Sequence, residues 1–145
     1  MGFAFPLASV LAVRRRREEA EERSLAQLSS ELEATRQALH RVDIELRRLA
    51  DERIAEPPRS MRATDLHESY ARLSVFVQGR SEMLTRITDL SARLQAQQQI
   101  YLLARRGREL LENLEIAQRS IYLAGLTRQE TKRNEDAFLS RYLRD

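Results

Sequence analysis

Two adjacent prolines, Pro57 and Pro58, constrain this chain more than any other feature. Proline has no backbone N–H, and its ring collides with the carbonyl one turn back, so no α-helix runs through the pair. On the N-terminal side, Leu25, Leu28, Leu32, Leu39, Val42, Leu46 and Leu49 follow alternating steps of three and four, with Thr35 the only polar member. Such a series is the seam of a heptad coiled coil. Pro6 is tolerated in the first turn of a helix, so helix 1 is predicted over about 7–56.

Beyond the prolines the chain returns to helix. Residues 57–64 read as a loop, with Thr64 as the helix N-cap and Glu68 placed to complete a capping box. Helix 2 is predicted over about 65–143. Its seam is read through Tyr70, Leu73, Val77, Leu84, Ile87 and Leu94, with a phase change near the glutamine-rich run 95–99. It then resumes at Leu103, Leu110, Leu114, Ala117, Ile121 and Ala124. Gly79, Gly107 and Gly125 each cost about 1 kcal/mol relative to Ala inside a helix, which makes them soft points and not breaks. A short connection forces an antiparallel return, setting Leu49 near Tyr70, Leu25 near Leu94 and Leu11 near Arg108. The expected fold is all-α: one domain over 1–145, a long two-helix antiparallel coiled coil with an overhanging C-terminal helix. In that overhang Ile121, Leu126, Phe138, Leu139, Tyr142 and Leu143 have no seam to join.

Composition narrows the function. Charged residues make up 32% of the 145, hydrophobic ones 42%, and there is no Trp or Cys. That supports a thin seam and not a thick core, and it excludes disulfides and thiolate chemistry. His67-Glu68 lacks the second histidine of a zinc-protease motif, since position 71 is Ala; the other histidine, His40, is remote. No phosphate loop, nucleotide fingerprint or nucleophile elbow is present, so no catalytic residue, cofactor or metal is assigned. The 25 basic and 22 acidic residues alternate closely, which argues for a solvated helix surface and against a nucleic-acid stripe. Residues 1–13 are apolar, but their basic residues, Arg14 to Arg17, follow the run where a secretory signal has them first, and the run is too short to span a bilayer. It is read as retained. Arg14 is in reach of Glu18 and Arg15 of Glu19 along the same helix, while four consecutive arginines leave some facing outward.

The opening Phe3-x-Phe5-x-Leu7-x-x-Val10-Leu11-x-x-Arg14, followed by Glu18-Glu19-Ala20 and Leu25-Ala26, resembles the FliJ family of flagellar type III export proteins. So do Asp65-Leu66-x-x-x-Tyr70-x-x-Leu73-x-x-x-Val77 in the middle and Arg106-x-x-Glu109-Leu110-Leu111-Glu112-x-Leu114 further on. Glu130-x-Lys132-x-x-Glu135-Asp136 is similar to the family's terminal signature, although Asn134 stands where Leu is usual and the acidic pair is inverted. The resemblance implies a non-enzymatic stalk, similar in fold to the central stalk subunit of rotary ATPases. It implies paired termini gripped by the hexameric export ATPase, a middle segment on the cytoplasmic domain of the membrane export gate, contact with export chaperones, and a cytoplasmic location at the inner-membrane export apparatus. Carried over residue by residue, the ATPase-ring contacts are Phe3, Phe5, Leu7, Leu11, Arg14, Glu130, Lys132 and Asp136. The export-gate contacts are Tyr70, Leu73, Val77 and Leu84.

Two other readings fit the residues. One is a general coiled-coil adaptor or homodimeric scaffold. The other is a peripheral binder of anionic membranes or nucleic acid through Arg14 to Arg17 with Arg105, Arg106 and Arg108.

Overall fold

The computed structural model describes residues 2–55 and 62–144. Two helices account for nearly all of them: α1 at Ala8–Ala55, 48 residues, and α2 at Ala63–Arg144, 82 residues. Pro57 and Pro58, with most of the loop expected around them, lie outside the described residues. Thr64 was expected to cap α2 but sits inside its first turn, because the first α2 bond is already made by the Leu66 N–H donating to the Arg62 carbonyl, 3.1 Å. Gly79, Gly107 and Gly125 all lie within α2 in ordinary helical conformation.

Contacts group the chain into two compact units. Unit 1 joins Met1–Ala20 to Tyr101–Asp145, and unit 2 is Glu21–Ile100. Within each, α1 and α2 run antiparallel, as the partners show. In unit 2 Asp43 meets Arg80 at 2.7 Å and Arg53 lies over Tyr70; in unit 1 Arg15 meets Glu112 at 3.2 Å and Phe3 meets Tyr122. The fold is all-α, a two-helix antiparallel coiled coil whose longer helix outruns the shorter. From Leu126 to Arg144 every residue of α2 is exposed.

In unit 2 the seam is apolar. All eight predicted α1 positions from Leu25 to Leu49 are buried or half-buried, with Leu32 on α1 and Leu90 on α2 the best covered of unit 2, at 4% and 2% exposure. Thr35 is tolerated there because its hydroxyl donates to the Glu31 carbonyl at 2.8 Å, so nothing polar is left without a partner. The α2 side differs from the sequence expectation. Counting three and four from Leu73 gives Phe76, Arg80, Met83, Ile87, Leu90, Leu94 and Gln97, and all but Arg80, which pairs with Asp43 of α1, are at least half-buried. Tyr70, Val77 and Leu84 therefore flank the seam and do not form it. Leu49 shares an apolar recess with Arg53, Ser69 and Leu73, and Arg53 in turn lies over the ring of Tyr70, its expected neighbour.

The count keeps step along α2, and no phase change occurs at the glutamines. Gln97 occupies a seam position and its amide donates to the Glu21 carbonyl at 3.2 Å and to the Glu21 carboxylate. In unit 1 the series continues as Tyr101, Ala104, Arg108, Leu111, Glu115, Gln118 and Tyr122, each buried or half-buried. Leu103, Leu110 and Ile121, expected in the seam, are 65%, 70% and 72% exposed. Arg108 reaches Glu18, two turns along α1 from the expected Leu11.

Candidate partner-binding surfaces

Unit 1 ends in a tip built by the segment before α1. Pro6 removes one N–H where the helix has no acceptor for it, and the Ala8 N–H donates to the Phe5 carbonyl at 3.2 Å to start the first turn. Phe5 (8% exposed) and Leu11 (3%) turn inward and form, with Ala104, the small apolar core of the unit. Phe3 is half-buried: its ring lies 5.6 Å from that of Tyr122, tilted by 44°, and the Arg119 guanidinium stands 5.6 Å from its centroid. This aromatic–cation stack joins the N-terminal segment to α2. Leu7 and Val10 remain more than a third exposed beside it.

Behind the tip the seam becomes ionic. Arg108 makes a two-pronged pair with Glu18 and a second pair with Glu112 at 2.7 Å, and Arg15 closes on the other side of Glu112. Glu18 and Arg108 retain only 14% and 21% side-chain exposure. The arginine run thus pairs across helices and not along α1 as expected: Glu18 goes to Arg108, and Arg15 to Glu112. The Arg14 side chain lies over Gly107, where a Cβ would stand 3.4 Å from the guanidinium. Arg16 and Arg17 are exposed and make no ion pair among the described residues. Burial pushes the Glu112 carboxyl up, but hydrogen bonds from Arg15 and Arg108 outweigh it and hold the group below the usual glutamate range. The Glu18 hydrogen bond, against some desolvation, holds Arg108 firmly in its charged form.

The remaining predicted tip residues, Glu130, Lys132 and Asp136, are exposed on the unpartnered part of α2. Phe138 (69% exposed) and Leu139 (52%) lie beside them and line a shallow recess with Thr131, Asn134 and Glu135. The structure thus brings Phe3, Phe5, Leu7, Leu11 and Arg14 together in unit 1 and leaves Glu130, Lys132 and Asp136 free of α1.

In unit 2 the four predicted gate residues separate. Leu73 is half-buried in the seam, whereas Tyr70, Val77 and Leu84 are 52%, 53% and 40% exposed. Those three are seven residues apart and form one stripe along the flank of the seam. Tyr70 is held there by Arg53, whose guanidinium sits 4.3 Å above its ring. Sequence reasoning merged this flank with the seam, since both carry apolar side chains at seven-residue spacing.

It also placed inside the seam a second exposed stripe, Leu103, Leu110, Leu114 and Ile121 in unit 1. A fixed count from Leu73 and Phe76 was the signal that identified it as outward. Among the described residues no helix is long and apolar enough to cross a membrane, and no group of three or more His, Asp or Glu is placed to hold a metal.

Comparison with known proteins gave no match among curated proteins or solved structures. A family model described as "Flagellar FliJ protein" matches residues 3–145, which takes in both helices, the tip and the unpartnered end of α2. With essentially the whole length matched, the chain belongs to the FliJ family, and its place is in the flagellar type III protein export apparatus.

Proposed function

We propose that the chain is a stalk of that apparatus, held by the hexameric export ATPase at its paired termini and by the cytoplasmic domain of the export gate at its middle segment. The observation that carries this reading is the end of unit 1. A docked aromatic segment, fixed by Phe3, Tyr122 and Arg119, stands beside a run of α2 that is exposed from Leu126 to Arg144. A helix with exposed Phe138, Leu139, Tyr142 and Leu143 and no partner in its own chain is suited to be gripped by another protein. Phe5 and Leu11 shape the tip from within, while Phe3, Leu7, Glu130, Lys132 and Asp136 offer surface to a ring.

For the gate, Tyr70, Val77 and Leu84 offer a continuous apolar flank without any loss of seam packing, and Leu73 supports it from below. Both partners place the chain at the cytoplasmic face of the inner membrane, bound through proteins and not through lipid.

The test uses the full chain with the cognate export ATPase and, separately, the gate's cytoplasmic domain. Wild-type chain is expected to promote ATPase hexamer assembly and turnover. Lys132→Glu with Phe138→Ala is expected to weaken that effect by about tenfold or more without touching gate binding. Val77→Asp with Leu84→Asp is expected to do the reverse. Failure of the wild-type chain to bind the ATPase would sink the reading.

A further inference from the structure

Where α1 and α2 run side by side in unit 1, the arginines divide by what answers their charge. Arg15, Arg105, Arg108 and Arg119 each meet a carboxylate, that of Glu112, Glu109, Glu18 and Glu115 respectively. Arg14, Arg17 and Arg106 are exposed and make no ion pair among the described residues. These three gather on one side of the unit. Arg106 stands three residues after Leu103 and four before Leu110, so it shares the face of those exposed leucines. The Arg14 side chain crosses that face at Gly107, and Arg17 follows Arg14 one turn along the same side of α1. Arg16, also unpaired, is two residues from Arg14 and falls on the opposite side of α1.

The face therefore has a basic end and an apolar run. Arg14 separates Leu103 from the rest, and beyond it Leu110, Leu114 and Ile121 continue for about three turns at 70%, 39% and 72% exposure. Between Leu103 and Ile121 the carboxylates of α2 are Glu109, Glu112 and Glu115, and each is already bonded to an arginine. The basic end thus has no free carboxylate on that stretch of α2, and an anionic group arriving from outside would relieve the mutual repulsion of three guanidinium groups. The apolar run is one leucine wide, contains no aromatic residue, and has Ala117 between Leu114 and Ile121. A ridge of side chains on a neighbouring helix fits such a row, whereas a lipid surface is bound by a broad face rich in bulky apolar groups.

We propose that unit 1 docks an amphipathic helix of another protein, with its apolar side chains along Leu110, Leu114 and Ile121 and its carboxylates among Arg14, Arg17 and Arg106. The docked helix makes α2 the middle member of three, packed on α1 through one face and on the partner through the next. The proposal does not depend on the ATPase and gate contacts.

The probe is a synthetic helix of about five turns with leucines along one face and glutamates bordering them at one end, titrated against the full chain by fluorescence anisotropy. It is compared with the same peptide carrying lysines for glutamates, and with phosphatidylglycerol vesicles. The glutamate peptide is expected to bind more than about tenfold tighter than the lysine peptide, with the difference shrinking as salt is raised. Leu110→Gln is expected to weaken binding of the glutamate peptide by about tenfold with helix content unchanged by circular dichroism. Arg17→Glu with Arg106→Glu alters exposed side chains that hold no ion pair, and is expected to reverse the preference between the peptides. Should Leu110→Gln lose helix, that reversal decides alone. Equal binding of the two peptides, binding of neither, or a preference that survives the double charge reversal would each overturn the proposal. Binding of the vesicles and of neither peptide would assign the face to a membrane, and loss of ATPase binding in the doubly reversed chain, with neither peptide bound by wild type, would assign it to the ring.

Discussion

The two units solve the same packing problem in opposite ways. In unit 2 the seam is apolar: Leu32 and Leu90 are both buried in it, and the exposed positions of α2 carry Arg72, Glu82, Arg86, Asp89 and Arg93 beside the Tyr70, Val77 and Leu84 flank. In unit 1 much of the charge goes inward, with Glu18, Arg108 and Glu112 bonded between the helices while Leu103, Leu110 and Ile121 face out. An apolar seam stabilises by burial and specifies only that leucine meets leucine. A paired ionic seam contributes little net stability but fixes register, because each group left without its partner is costly to cover. Unit 2 therefore holds the pair together, and unit 1 sets which residues face one another at the end where partners are expected.

This contrast can be broken by mutation. The largest effect is expected from Leu90→Ala, which removes the best-buried side chain of unit 2 and should lower stability by about 2–4 kcal/mol in chemical denaturation. Next is Arg108→Ala. It strips Glu18 and Glu112 of their shared partner, so amide exchange should accelerate across unit 1 and stay near wild-type in unit 2. The double change Glu18→Leu with Arg108→Leu should restore slow exchange, because an apolar pair of similar volume replaces the ionic one without leaving a lone charge. If both variants behaved alike, the ionic seam would not be a register device.

Acid separates the units further. The Glu112 carboxyl is held below its ordinary value in the folded chain, so its contribution is fully present above the unfolded value of about 4.3. That contribution is lost as pH falls through the lower folded value. Unit 1 amides should lose protection over that window, and Glu112→Gln should remove this part of the pH dependence. The smallest effect concerns Gly79, where an added Cβ meets nothing within 4 Å. Gly79→Ala should raise stability by about 0.5–1 kcal/mol through helix propensity alone, with unit 1 unchanged.

How much of this was legible in the sequence follows the same division. The α1 seam from Leu25 to Leu49 could be read directly, because burial there is periodic and, apart from Thr35, apolar, and so could the unpartnered end of α2, because the predicted second helix is far longer than the first. The α2 seam was misread wherever apolar side chains stand outside it. Tyr70, Val77 and Leu84 repeat every seven residues as a seam would, and Leu103, Leu110, Leu114 and Ile121 repeat likewise one position off. Periodicity reports that a stripe exists, and it does not report which of two stripes faces the partner helix. Gln97 was read as part of a phase change and Arg108 was set opposite Leu11, because their partners, Glu21 and Glu18, are contributed by the other helix at a distance no local pattern reveals. The tip was half legible: the resemblance picked out Phe3 and Phe5 together, and only the structure separates the ring stacked on Tyr122 from the one turned into the core.

In unit 1 the α2 seam takes charged residues inside and leaves Leu103, Leu110 and Ile121 outside. Spin labels placed singly at Gln118 and Ile121 test this most directly. The label at 118, a half-buried seam position, should be immobilised, and the label at 121, where the native side chain is 72% exposed, should be mobile. The opposite pattern would return the leucines to the interior and contradict the account.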